Sequence, residues 1–520
     1  MSLAALVPGG GRPRAAQKGL TSPNRFGYKA AMRPWQKKCL RLCLVMAYVL
    51  IAGTACHKKP PLPQATNPTS LEVTTTTDDA QESARERRQH QRLAWNLKTL
   101  VEAYAHAGFT NSAWDAPART ALAEFAHVRS DTASANPHGL QIVATNAAAA
   151  IQAGCKDPMV TYLYVRFALD PTNSPAAICA AYDAMARAMH NSSYAPLRKF
   201  YATIRTDNQY YATYGTNVTA FPSAMEISTY LSADALYSML DTNTPPEEIY
   251  ELCSEDLQGY ETAPKLYAQA YPIIENAVFT GWPNEATSWL LKGEANYQMA
   301  WHARGGGYAN DVSAAGWKGF GDHLATAEAA LNRAWQLDPD DPRIPTAMMN
   351  VVADEQKGRD VMELWFSRAM AVDPDNYKAC RNKLRFLYPQ WYGSREEMIA
   401  FGRVCVATTN WGGDVPLILV DAHTDYNNYS NTNDADRQAY WRQPEVWPDI
   451  KAAYERYFTL NPDATDLYKN YAWYAYQAGQ WAAFNGLAKK VRPADFDFFG
   501  GKNALDQMVQ FAQTQSSQAQ

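Results

Sequence analysis

The chain is 520 residues long, 47% hydrophobic and 19% charged, with 48 basic and 52 acidic side chains and a net charge of −4. That length and apolar fraction allow a large buried core in one to three domains, and they exclude collagen-like and globally disordered classes. Beyond the N-terminus no stretch stays apolar for the ~18 residues of a membrane helix, which excludes a polytopic membrane protein, and the near-neutral charge gives no overall pull toward nucleic acid.

The charge is unevenly spread. Residues 1–59 hold eleven Lys/Arg and no acid, leaving 37 basic against 52 acidic side chains in the rest of the chain. Arg33, Lys37, Lys38 and Arg41 precede an uncharged run from Leu42 to Ala55 that ends at Cys56. The run is short for a membrane span and fits the apolar region of a signal peptide, so residues 1–55 are expected to be an export signal. Translation from Met32 leaves a signal of ordinary length, and residues 1–31 read as an over-called start. Gly53-Thr54-Ala55-Cys56 resembles a bacterial lipobox. Small residues occupy the two positions before the cysteine, while Gly53 departs from the branched apolar residue usual there. The resemblance implies acylation of Cys56 and anchoring by several acyl chains, at ~0.8 kcal/mol per buried CH₂. Plain secretion by cleavage near Ala55 is the alternative. His57, rather than Asp, after the cysteine implies outer-membrane sorting in a Gram-negative envelope, on its periplasmic or surface face. Residues 56–85 are rich in Pro and Thr and poor in large apolar side chains, as in a lipid-anchored flexible tether.

Folded structure is expected from residue 86. Residues 86–280 read as an N-terminal helical region, with helices over Ala176–Met189 and over Thr262–Tyr271, the latter stopped by Pro272. Further on, Leu337-Asp-Pro-Asp340, Val372-Asp-Pro-Asp375 and Leu460-Asn-Pro-Asp463 each close an apolar pattern at positions −2, −5, −8 and −12 from the proline. Those intervals trace one face of a helix, and the proline forbids its continuation. Pro339 and Pro374 are 35 residues apart, close to the tetratricopeptide period of ~34. Trp289-x-x-x-Gly293, and Tyr468-x-x-Tyr471-Ala472 followed by Gly479-x-Trp481-x-x-Phe484, resemble the helix pairs of that repeat. The fold class expected is all-α. Tetratricopeptide-like repeats are placed at 281–390, an insertion at 391–447, a C-terminal helical unit at 448–505 and a polar tail at 506–520. The insertion opens with a capping box, Ser394-Arg-Glu-Glu397, launching a helix to Val406. Ala300–Gly305, Leu337-Asp-Pro339, Trp391–Ser394 and Phe401-Gly-Arg403 together resemble an uncharacterised bacterial family with a tetratricopeptide-like domain of unknown function. That resemblance covers the C-terminal half and implies fold, not chemistry.

No nucleophile elbow, metalloprotease, Walker or dinucleotide motif is present, so no cofactor is expected. Five cysteines remain in the body: 155, 179, 253, 380 and 405. Their spacing fits no metal site, and Cys155 with Cys179 is the one pairing it suggests, against two buried free thiols. Asp421-Ala-His423-Thr-Asp425 would suit a metal if extended, but reads as a loop with a capping Asp; no metal site is assigned. Gly305–Gly307 after Arg304 reads as a glycine-ended helix, with an anion cradle as the alternative. Glu396-Glu397 and Asp340-Asp341 sit where helix starts favour acids, and His302 and His323 read as structural. The least ordinary feature is the aromatic content, 15 Trp and 31 Tyr. Trp301, Tyr308 and Trp317 bracket the glycine loop; Trp391, Tyr392 and Trp411 cluster at the insertion. Binding candidates are therefore Trp301, Arg304, Tyr308, Trp391 and Trp411, with gap-filling between helices the competing explanation. The expected role is a lipid-anchored scaffold for a protein partner, without nucleic acid. The alternative is an oligosaccharide-binding lipoprotein similar to the starch-capturing outer-membrane family, whose acidic, Leu-rich opening this chain lacks. A glycan hydrolase would need an acid pair that the sequence does not mark.

Overall fold

The computed structural model describes residues 84–130, 138–215, 235, 244–462 and 464–518. Cys56 and the expected signal at 1–55 lie outside the described residues, as does the expected tether except for residues 84 and 85, which already belong to the first helix. Those described form helices joined by turns, with no strand among them, so the all-α class holds. They divide in sequence at Asp340 and Asp341 into two compact units.

The first unit contains α1 (Ala84–Leu97), α2 (Asp115–Ser130), α3 (Gly139–Gln152), α4 (Pro158–Phe167), α5 (Pro175–His190), α6 (Pro196–Tyr214), α7 (Pro246–Gly259), α8 (Pro264–Gly281), α9 (Ala286–Arg304) and α10 (Ala314–Leu337). Five of these start on proline, whose missing N–H is one the first turn would leave unpaired anyway. At α4 the Asp157 carboxylate also accepts from the Met159 and Val160 N–H groups at 2.9 and 3.0 Å. Neighbours in sequence are neighbours in space: α2 packs on α3, α5 on α6, and α9 on α10.

One boundary differs from expectation. Pro272 does not stop its helix, because α8 runs on to Gly281 with the proline inside. A mid-helix proline costs about 3 kcal/mol. Leu266, Ala270, Ile274 and Val278 form an unbroken buried stripe at intervals of four across it. Ile274 and Val278 alone repay about 3–6 kcal/mol by burial.

Gly293 lies where α9 meets α10. A Cβ there would lie 2.5 Å from Leu331 Cγ on α10, so only glycine permits this approach of α9 to α10. Trp289 fills the neighbouring space by packing edge-on to Phe279 of α8 at 4.9 Å.

The first unit is also tied by charge. Glu248 on α7 is fully buried and receives Arg92 Nε at 2.8 Å and Arg129 Nη2 at 2.6 Å. The same arginines reach Glu251 at 2.5 and 2.8 Å. Burial opposes charge on Glu248, but the surrounding arginines prevail and hold its carboxyl below the usual range. Arg88 adds contacts to Glu247 at 3.3 Å and to Asp338, just past the end of α10.

The second unit comprises α11 (Arg343–Asp354), α12 (Arg359–Val372), α13 (Tyr377–Phe386), α14 (Arg395–Ala407), α15 (Ile418–Ser430), α16 (Asp434–Trp441), α17 (Val446–Leu460), α18 (Tyr468–Gln477), α19 (Trp481–Ala488) and α20 (Lys502–Gln518). Alternate helices α11, α13 and α15 lie side by side in a row, with α12 against α11 and α14 against α15. Residues 391–447 hold α14 to α16. The capping box is formed, with Ser394 Oγ accepting from the Glu397 N–H at 3.2 Å. Gly402 lets α15 close on α14: a Cβ there would be 2.7 Å from the Leu419 Cα.

The repeated phrase ends three helices as its pattern requires. α10, α12 and α17 stop at Leu337, Val372 and Leu460. Positions −5, −8 and −12 are buried in all three: Ala334, Leu331 and Ala327; Ala369, Phe366 and Met362; Tyr457, Tyr454 and Ile450. Position −2 is half-buried each time.

A glycine-to-alanine pair tests this packing. Gly293→Ala adds helix propensity but collides with Leu331, and should destabilise the protein by about 1–3 kcal/mol. Gly486→Ala, on α19 with no atom within 4 Å of the new Cβ, should stabilise it by up to about 1 kcal/mol. Thermal or urea unfolding distinguishes them, and equal shifts would contradict the close approach.

Candidate functional site

The glycine loop after α9 is built from its helix end. Gly305, at φ +77°, terminates the helix, as the sequence reading expects. Arg304 then folds back over both indoles, 5.2 Å from the ring centres of Trp301 and of Trp317. Its Nη1 donates to the Gly305 and Gly307 carbonyls at 3.0 Å each. Phe320 meets the two indoles edge-on at 5.1 and 5.8 Å. Three predicted residues are thus assembled into a self-contained stack in which Arg304 is already engaged. Tyr308 stands apart, 86% exposed.

The second aromatic group is divided. Trp411 packs edge-on to Phe366 of α12 at 5.7 Å. Trp391 instead borders a shallow recess between α11 and α13, with Asn350 and Asp354 from the first helix and Asn382 and Arg385 from the second. Tyr392 forms part of its wall, stacked on Phe386 at 4.2 Å. Trp391 remains 40% exposed, with the Arg385 guanidinium 6.0 Å from its ring centre. Arg385 faces Asp354 at 3.6 Å, so the recess carries no large net charge. Asn382 Nδ2 donates to the Thr346 carbonyl at 2.9 Å. No hydrogen bond is formed by the Asn350 amide among the described residues. The recess therefore combines a flat apolar ring with amide groups able to donate and accept. Sequence reading missed its polar members. Their signal was present as spacing: Asn350 and Asp354 are four apart and Asn382 and Arg385 three apart, each pair on one helix face.

The Asp421–Asp425 segment is neither extended nor a loop, for it lies inside α15. Helical rotation puts the two aspartates on one face and His423 on another, so the three do not converge on a metal. Among the described residues no cluster of three metal-binding side chains occurs. Asp421 accepts from Tyr377 and faces Arg381 at 3.5 Å. Asp425 accepts from Arg381 at 2.7 Å and from Tyr388 at 2.6 Å. His423 is buried between the Tyr440 hydroxyl at 2.8 Å and Asp449 at 3.0 Å, and Arg403 clamps Asp449 through two nitrogens at 3.0 and 2.9 Å. Burial pushes the Asp421 carboxyl up to about 6, against the pull of Arg381 and Tyr377. Burial also opposes charge on Asp449, yet His423 and Arg403 hold it below the usual range.

His302 and His323 are each bonded elsewhere, to the Glu261 carbonyl at 2.7 Å and the Asn296 amide oxygen at 3.1 Å. Asp341 starts α11 by accepting from the Arg343 N–H at 3.0 Å. No family profile matches the chain, and no curated protein or solved structure is similar to it.

The raised Asp421 value has a defined sign. Its carboxyl binds its proton more tightly folded than unfolded, so it favours folding below pH 4, and that contribution is lost as pH rises through about 6. Relative to wild type, Asp421→Asn should gain on the order of 1–3 kcal/mol between pH 4 and pH 7.5. Urea midpoints at the two pH values check this; an effect independent of pH would contradict it.

Proposed function

We propose that the protein is tethered through an acylated Cys56 to the bacterial outer membrane, and that its helical-repeat body holds a protein partner along the row of α11, α13 and α15. The observation that carries the reading is the Trp391 recess. It opens where two alternate helices of the row meet, and sets an exposed indole beside the Asn350 side-chain amide and beside Asn382, Asp354 and Arg385, which the fold itself holds in place. Exposed aromatics in polar surroundings are the usual anchors of protein interfaces. Stacked helix pairs present such anchors to extended partners without catalytic groups.

Two experiments test the parts separately. Labelled palmitate should enter the wild-type chain and not Cys56→Ser, which should leave the membrane fraction; equal labelling removes the anchor. A photo-crosslinking amino acid at Asn350 should capture one discrete partner in intact cells, whereas the same residue at Leu364, 49% exposed on α12, should not. Adducts at neither position, or the same adducts at both, remove the partner surface.

The recess also favours a second reading, oligosaccharide binding, because an indole face stacks on the C–H face of a sugar while amides exchange hydrogen bonds with its hydroxyls. A glycan array on the full chain tests it. Trp391→Ala should weaken binding about 10–100-fold, as expected for loss of a 1.4–2.8 kcal/mol contact. Trp301→Ala should leave it unchanged, since Arg304 covers that indole. Silence on every glycan removes this reading.

A further inference from the structure

The Arg385–Asp354 pair at the Trp391 recess is neutral as a whole, but its two charges are unequally placed. The Arg385 side chain on α13 is 34% exposed, while the Asp354 side chain on α11, 3.6 Å away, is 2% exposed. The carboxylate is withdrawn into the fold, and the charge that a ligand meets is the guanidinium. That guanidinium stands 6.0 Å from the centre of the Trp391 indole, wider than the 5.2 Å at which Arg304 closes on Trp301. The indole is thereby left open, with a cation beside it. The recess holds about 270 Å³ of space, part of it open to solvent. Pockets that enclose a drug-sized ligand run to ~300–1,000 Å³, so this one receives a single ring of a longer molecule.

The geometry points to a sugar acid as that ring: one uronic-acid residue of an oligosaccharide, its C–H face on Trp391, its carboxylate on Arg385 and a hydroxyl on the Asn350 amide. This rests on the oligosaccharide reading above and names its chemical class. A guanidinium has N–H donors and no acceptor, so its best match is an anionic acceptor. A neutral sugar covers Arg385 and returns only hydroxyl oxygens in place of water, whereas a carboxylate returns charge-assisted hydrogen bonds. Asp354 does not exhaust the cation. On the same helix Arg381 already serves two carboxylates, Asp421 at 3.5 Å and Asp425 at 2.7 Å.

The test uses the full wild-type chain. Oligomers of galacturonic, glucuronic and mannuronic acid are each measured beside their methyl esters, which remove the charge and keep the ring. At least one acid should bind, about 5–10-fold more tightly than its own ester, and the difference should narrow as salt is added. Arg385→Gln should erase the difference, and Trp391→Ala should weaken acid and ester alike. Because Arg385→Gln takes the cation from a buried carboxylate, Arg385→Gln/Asp354→Asn is measured with it, folding is checked by circular dichroism, and the same loss of preference is expected. A preference for acid that survives in both variants overturns the proposal. Equal binding of acid and ester, or binding of neutral sugars alone, overturns it and leaves the oligosaccharide reading standing. Silence on every glycan removes both. An oligo-glutamate peptide is run alongside, and its binding with silence on every uronic acid returns the recess to the protein partner and overturns the proposal.

Discussion

Most of the described helices bury an apolar face, and the helix beside each in sequence is commonly what covers it. The rest of the architecture follows from that constraint. Helices must end on time, which the Asp-Pro and Asn-Pro phrases after α10, α12 and α17 ensure. They must also approach closely, and at Gly293 and Gly402 a single methyl group would force Leu331 or the backbone of Leu419 aside. Polar groups drawn inside by this packing must then be matched, as Glu248 is by Arg92 and Arg129, and His423 by Tyr440 and Asp449. Asp421 is matched only in part, and its proton affinity rises accordingly.

What is local in physical terms was legible in the sequence. The apolar intervals at −5, −8 and −12, the Ser394 capping box, the Gly305 helix end and the small residue at 293 are properties of one helix or its immediate neighbour. Pro272 shows the limit of local rules. Its cost is set by one residue, but it is offset by Ile274 and Val278, whose burial depends on helices elsewhere. The site was less legible for the same reason. Trp391 and Trp411 are close in sequence, yet one borders the recess and the other packs on Phe366. Asn350 and Asn382 come together only because α11 and α13 are alternate helices placed side by side, a relation no single periodicity contains.

The high aromatic content divides into two uses. Much of it fills space between helices: Tyr454 stacks on Tyr471 at 4.7 Å and Phe458 on Tyr468 at 4.2 Å, joining α17 to α18. The Trp301–Arg304–Trp317 stack belongs to the same class, since its cation is spent on indole faces and carbonyls. Trp391 differs by remaining open beside amide groups, and counting aromatic residues does not separate the two kinds.

The ion network of α1 has a consequence for the order of assembly. In a growing polypeptide α1 is made before the other described helices, and most helices find their partner within the next few dozen residues synthesised. Arg92 must wait for Glu248 and Glu251, some 150 residues downstream, and Arg88 for Asp338, later still. The first of the described helices is therefore among the last to be fastened, and its closure reports that the downstream helices of the first unit have been made.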